Sequence, residues 1–191
     1  MYLIYTRNMA NVIPARITLE EFAKLPPEGA RHEVDAGVLI TLLPAKSLHT
    51  LIALTVLEAL QLYLRQFSVA RALPETGYIL AQDPLTIRQP DVSILRKDRI
   101  AATDADGYFQ GAPDLAVEIV TPPDSARDLE IKAKQYLQAG AQQVWVLYPK
   151  ARSIHVFSGA SPVQILDDSQ TLEGGELLPG FSVKVVDLFT I

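Results

Sequence analysis

The chain has 191 residues, 49% of them hydrophobic and 20% charged, enough for a substantial core in one domain and unlike a disordered chain. It holds no cysteine, which excludes a disulfide framework and a cysteine-ligated zinc site and agrees with a cytoplasmic setting. The net charge of −5 argues against a basic, nonspecific nucleic-acid coat but leaves room for a local site whose acids hold metal ions.

The segment Met1–Arg7 lacks the basic-then-apolar layout of a signal peptide. Thr18-Leu19-Glu20-Glu21 has the spacing of a capping box and predicts a short helix, which Pro26-Pro27 would end near Leu25. Arg31–Asp35 and Val38–Leu42 flank Ala36-Gly37 as a hairpin. From Ser47 to about Phe67, apolar residues recur at spacings of three and four, with further leucines off that stripe. A helix this apolar all round is expected to be central or to lie in a subunit interface. His49, Glu58 and Gln61 within it argue against a membrane span.

Residues 77–80 and 85–88 read as strands around a Gln82-Asp83-Pro84 turn, and Asp91 stands at the start of a strand running to Leu95. The polar stretch 96–110 predicts a loop or short helix. Leu115–Val120 is a short apolar run with Pro113 before it and Pro122-Pro123 after it, the pattern of a buried strand. Ser125 and Asp128 open a well-marked helix that Gly140 closes. Residues 144–147 and 153–157 then predict paired strands, followed by two or three short strands in the tail. The whole reads as one α/β domain over residues 1–191 with a mixed sheet, an N-terminal helix within 15–30 and a strand–helix–strand core at 112–148.

Glu118 sits inside the apolar run, where an unpaired carboxylate is costly to bury. Asp91 stands on the preceding strand, and carboxylates from adjacent strands can converge on one hard cation such as Mg²⁺. Two acids on strands are equally read as solvated strand ends, since the chain holds 22 acidic residues. In the next helix Leu129, Ala133, Tyr136 and Leu137 form the inward face. Lys132 falls on that face and Glu130, Lys134 and Gln138 fall on the outer one. Lys132 is thus expected near Glu118, the alternatives being an Asp128–Lys132 pair or an ammonium that snorkels to water.

Pro90-Asp91, then Glu118 in an apolar strand, then an inward lysine, resembles the PD-(D/E)xK nuclease superfamily, although Val120 occupies the usual lysine position two residues after the Glu. The chain is similar to one branch in which the lysine has moved to the following helix, the Uma-two-type family of restriction-endonuclease-like proteins. The matching segments include Arg31-His32-Glu33-Val34, Pro44 to His49, Gln89-Pro90-Asp91-Val92, Gly111 to Leu115, Val117 to Pro122, Arg127-Asp128 with Lys132 and Tyr136, Val144-Trp145-Val146 and Leu178-Pro179-Gly180-Phe181. The resemblance implies an α/β (α+β) restriction-endonuclease-like fold: a mixed β-sheet core flanked by helices, with additional N- and C-terminal β-hairpins.

It further implies a Mg²⁺- or Mn²⁺-dependent endonuclease acting on nucleic acid, in the first place DNA, and working as a homodimer. Asp91 and Glu118 correspond to the metal-binding acids, with the backbone carbonyl of Ile119 as a further ligand, and Lys132 to the catalytic lysine. Glu33 corresponds to an N-terminal acid that can complete the metal shell, and is equally read as an exposed hairpin residue. His49 matches a histidine at the start of the long helix, where a structural hydrogen-bonding role is the commoner reading. Tyr148 stands where the family has an Asp, and Ala36-Gly37 where it has Asp-Gly. The alternative reading is a catalytically inactive nuclease-fold module that binds nucleic acid or protein.

Overall fold

The computed structural model describes residues 16–26, 31–104, 106–121, 125–159 and 161–190. Pro27, Pro122 and Pro123, expected to end the first helix and the acidic strand, lie outside the described residues. Helix α1 (Leu19–Ala23) starts as its sequence dictates: the Thr18 hydroxyl accepts from the Glu21 amide, and the Glu21 carboxylate accepts from the Thr18 amide. Strands β1 (Arg31–Asp35) and β2 (Val38–Leu42) form the expected hairpin, with Asp35 opposite Val38. Both turn residues take positive φ, +48° at Ala36 and +87° at Gly37, as a two-residue hairpin turn requires. Ala36 meets that requirement without the local hydrogen-bonding side chain of an Asp.

Where the sequence reads as one mixed sheet, the strands divide into two larger sheets and a ribbon. The first sheet has the order β2-β1-β5-β4-β7, with β4 (Tyr78–Gln82), β5 (Leu85–Arg88) and the short β7 (Phe109–Gln110). It forms because the two hairpins pair with each other, Val34 against Ile87, and bury Val34, Ile79, Leu85 and Ile87 in a cluster of their own. The second sheet runs β11-β10-β9-β8-β6-β3. Its members are β3 (Ala70–Pro74), β6 (Val92–Arg96), β8 (Leu115–Ile119), β9 (Gln143–Tyr148), β10 (Ser153–Phe157) and β11 (Gln164–Leu166). Strand β3, at its edge, has no clear signature in the sequence: its pattern Ala-Arg-Ala-Leu-Pro is short and weakly alternating. The ribbon pairs β12 (Thr171–Glu173) with β13 (Ser182–Lys184). Two short helices, α3 (Lys97–Ala101) and α5 (Val185–Leu188), complete the set.

Strand β8 lies inside the six-stranded sheet, antiparallel to β6 and parallel to β9, and all five of its residues are buried. A strand covered on both faces needs no polar alternation. Leu115, Val117 and Ile119 face the cluster that takes Ile52, Val56, Leu60 and Leu64 from helix α2 (Ser47–Gln66). Ala116 faces the cluster built on Leu129, Ala133 and Tyr136 of helix α4 (Ala126–Gln138). Glu118, two residues on, shares the α4 face.

Helix α2 buries only its four-residue stripe, and Leu48, Leu51, Leu54 and Leu62 remain exposed. By length and composition alone it is apolar enough to cross a membrane; in this fold its stripe is packed on the six-stranded sheet. Helix α4 is capped as expected, the Ser125 hydroxyl accepting from the Asp128 amide, and Gly140 at φ +107° closes it.

Candidate active site

The register of the central strands brings the two expected acids together. Val92 on β6 pairs with Val117 on β8 in an antiparallel ladder, so one further step sets Asp91 opposite Glu118. Directly opposed residues of such a pair project from the same face. The chain also ties the two positions directly, because the Ile119 amide donates to Asp91 Oδ2 at 2.7 Å. Both acids are only 6% exposed. The Ile119 amide thus anchors Asp91.

Helix α4 supplies two groups to the same carboxylate, one turn apart. Tyr136 donates its hydroxyl to Glu118 Oε1 at 2.8 Å, and Lys132 donates to Oε2 at 3.3 Å. Lys132 faces inward, as the helical spacing predicts, and its side chain keeps 19% exposure. Neither an Asp128–Lys132 pair nor snorkelling describes it: Asp128 serves the cap, and the ammonium bonds Glu118 and, at 3.1 Å, Glu33 Oε1. The outward pair Glu130–Lys134 forms at 2.8 Å.

Glu33 is not an exposed hairpin residue. It is 1% exposed, and both its oxygens are occupied. Oε1 accepts from Lys132 and from the Gln89 amide at 3.1 Å, and Oε2 accepts from Arg88 at 2.9 Å. Arg88 is itself 2% exposed and points inward to Glu33, Asp35 and Gln135. Arg96 and Lys97, just downstream of Asp91, turn away from the cluster: Arg96 pairs with Asp98, and Lys97 reaches Ser68.

Asp91 has cationic neighbours of its own. His49 Nε2 lies 3.1 Å from Oδ2 and Arg31 3.5 Å from Oδ1. The hydrogen bond to Asp91 raises the His49 pKa against the opposing effect of burial. His49 Nδ1 is buried and finds no hydrogen-bond partner among the described residues.

The Glu118 carboxyl is raised to about 7: burial pushes it up most, Lys132 pulls it down, and the nearby charges of Asp91 and Glu33 push it up. Burial lowers the Lys132 ammonium, but Glu118 and then Glu33 outweigh it, so the pKa ends above the ordinary lysine value. Lys132 is therefore a permanent cation and hydrogen-bond donor at neutral pH and not a proton acceptor.

The donor set suits a hard divalent cation. Two carboxylates, Glu33 and Glu118, share one ammonium, and the charge of Asp91 acts on Glu118 from the neighbouring strand, helping to raise its pKa to about 7. Among the described residues no cluster of three His, Asp or Glu side chains converges as a ready-made cage. Mg²⁺ does not need one, because it keeps several waters and is commonly held by one or two carboxylates. Cavities of about 600 and 280 Å³ lie elsewhere, lined by Leu19, Arg99 and Tyr108 and by Phe22, Arg31 and His32 respectively; neither contains Asp91 or Glu118, and the chemistry points to the carboxylate cluster.

Asp91, Glu118, Lys132, Glu33 and His49, all named from sequence, thus form one connected cluster. Tyr136, Arg88, Gln135 and Arg31 join it without having been singled out. Tyr136 had one legible signal, its place one turn after Lys132 on the inward face. Tyr148, at the position where the family has an Asp, packs its ring 4.3 Å from that of His155.

The Uma2 family model, described as "Putative restriction endonuclease", matches residues 19–186. Among solved structures, the chain is similar to a protein from Anabaena variabilis ATCC 29413 described as "a putative nuclease belonging to DUF820". The two share 23% identity and a TM-score of 0.80 over 91% of this chain and 97% of that one, which establishes a common fold. No curated protein matches the chain. With its family match spanning both larger sheets and the carboxylate cluster, the chain belongs to the Uma2 family.

Proposed function

We propose that the protein is a metal-dependent endonuclease that hydrolyses phosphodiester bonds, with DNA as the substrate. One observation carries this: Asp91 and Glu118 face each other on adjacent strands, and Lys132 from the following helix reaches Glu118 at 3.3 Å. Mg²⁺ or Mn²⁺ held by Asp91 and Glu118 would supply Lewis-acid chemistry, polarising a water and offsetting charge on the phosphoryl oxygens. Hydrolysis makes one bond from the water oxygen to phosphorus, breaks the phosphorus–oxygen ester bond, and passes the water's proton to the leaving side. Lys132, charged throughout, stabilises negative charge developing at the phosphorus centre and orients the water by donating to it. Tyr136 and the Ile119 amide fix the two carboxylates in place.

The two sheets act together as one nuclease-like domain, because Lys132 bonds Glu33 of one sheet and Glu118 of the other. The exposed leucines of α2 support a homodimer, in which two sites could address both strands of a duplex. Sedimentation at micromolar concentration is expected to show a dimer, and a monomer alone would remove that part. The lack of cysteine agrees with a cytoplasmic setting.

A second reading is a nuclease-fold module that binds nucleic acid or protein without cutting. It is favoured by the full occupation of Asp91, whose oxygens already meet His49, Arg31 and the Ile119 amide. Cleavage assays with Mg²⁺ and Mn²⁺ on plasmid, linear and single-stranded DNA separate the two. Cutting by wild type that Glu118→Ala abolishes supports the enzyme; equal residual activity in both proteins points to contamination and to the module.

A further inference from the structure

Glu33 differs from the other two acids in how it is held. Asp91 and Glu118 lie at facing positions on paired strands of the six-stranded sheet, whereas Glu33 comes from β1 of the other sheet. Its carboxylate is saturated by three donors, Arg88, the Gln89 amide and Lys132, at 2.9–3.1 Å, and it is buried to 1% exposure. Unlike Glu118, whose one cationic partner among the described residues is Lys132, Glu33 already has a guanidinium at 2.9 Å as its counter-charge, in the place a metal would take. It also has a short contact to the ammonium of Lys132.

The donor that fixes Glu33 is itself fixed in a closed ring. Arg88 Nη1 donates to Glu33 Oε2 at 2.9 Å, Nη2 lies 3.0 Å from Asp35 Oδ2, and Nε donates to Gln135 Oε1 at 2.9 Å. Gln135 then closes the ring by donating through Nε2 to Asp35 Oδ1 at 2.8 Å. A planar guanidinium with three directed donors sets angles as well as distances. Gln135 lies three residues after Lys132 on α4, so this ring pins the helix to the β1–β5 sheet beside the lysine. A lysine carried on a helix, unlike one two residues from the Glu on the same strand, needs its helix fixed from outside that strand, and here the second sheet does so.

We infer that Glu33 is the anchor of Lys132 and not a metal ligand, and that Arg88, Asp35 and Gln135 form a clamp that positions that lysine. The inference rests on the nuclease reading above for its catalytic consequence, though not for its geometry. Glu33, Arg88, Asp35 and Gln135 are positioning residues: none needs to touch substrate, and each acts through where Lys132 sits. Reactivity depends steeply on such placement, a misplacement of about 1 Å costing about 100-fold.

The test uses the full chain and three measurements on Glu33→Gln and Gln135→Ala. Calorimetry reads the Mn²⁺ affinity, plasmid cleavage reads kcat and KM, and ¹⁵N relaxation reads the order of the Lys132 ammonium group. Both variants are expected to bind Mn²⁺ within about twofold of wild type, to keep KM for DNA, to lose about 10- to 100-fold in kcat and to show a more mobile Lys132 ammonium. A tenfold or larger loss of Mn²⁺ affinity in Glu33→Gln would make Glu33 a metal ligand and overturn the anchor. Unchanged Lys132 order in Gln135→Ala would overturn the clamp. Gln135→Ala leaves every charge in place, so it decides the matter if Glu33→Gln does not fold. Should wild type neither bind Mn²⁺ nor cut DNA, the nuclease reading fails, and the Lys132 order in the two variants still decides the clamp.

Discussion

Lys132 Nζ stands 3.1 Å from Glu33 and 3.3 Å from Glu118, so one ammonium is shared between a strand of each large sheet. The strand that carries Glu118 offers no lysine two residues on, where Val120 stands. The cation comes instead from the next helix, whose inward face is set by Leu129, Ala133 and Tyr136.

That substitution of one source of charge for another is testable by exchange. Lys132→Met is expected to lose about 100- to 1000-fold in kcat while binding Mn²⁺ at least as tightly as wild type, because a competing positive charge has gone. Val120 follows Glu118 by two residues and so shares its face of the strand. Adding Val120→Lys to Lys132→Met should therefore recover a measurable part of the lost cleavage. A double variant as inactive as Lys132→Met would show that the helix position cannot be replaced.

Tyr136 gives Glu118 a neutral side-chain donor at 2.8 Å, in a buried setting. Tyr136→Phe keeps the ring's packing and leaves Glu118 Oε1 short of a hydrogen bond. Destabilisation of about 1–3 kcal/mol is expected, with a fall in Tm of about 2–4 °C for each kcal/mol in a chain of this size. The same hydrogen bond lowers the Glu118 pKa, so its loss should also weaken Mn²⁺ binding near neutral pH. Thermal melts and calorimetry check both.

Stability of the metal-free protein should fall as pH rises through the neutral range. Glu118 titrates near 4.5 when unfolded and at about 7 in the fold, so between those values the folded state holds a proton that the unfolded state has released. More protons on the folded side mean that stability drops with rising pH, by on the order of 3 kcal/mol across that window. His49, also raised, adds loss in the same direction as pH climbs past its unfolded value. Denaturant melts in EDTA from pH 4.5 to 8 should show this slope. Glu118→Gln, which cannot titrate, should flatten most of it; an unchanged slope would place the titrating group elsewhere.

Much of this site was legible in the sequence because it lies on regular elements. A period of two put Glu118 on a definite face of a buried strand, and a period of 3.6 put Lys132 inward and Lys134 outward. The same regularity marked the β1–β2 hairpin around Ala36-Gly37, whose register the pairing then sets. What could not be read depends on sheet pairing. The antiparallel register of β6 on β8 sets Asp91 opposite Glu118, and no local pattern encodes it. The division into two sheets, which makes Arg88 an interior residue, arises from pairing between two distant hairpins. Apolar content alone does not say which face of α2 meets the sheet: the helix reads as apolar all round, and in the fold the stripe Ile52, Val56, Leu60 and Leu64 is the buried one.

The most direct measurement is a calorimetric titration of Mn²⁺ into the full chain, its Asp91→Asn variant and its Glu118→Gln variant, at pH 8 where Glu118 is ionised. One divalent-cation site in wild type that both substitutions abolish is the predicted result. A wild type that binds no Mn²⁺, or a site that survives the loss of either carboxylate, would contradict the shared Asp91–Glu118 metal site.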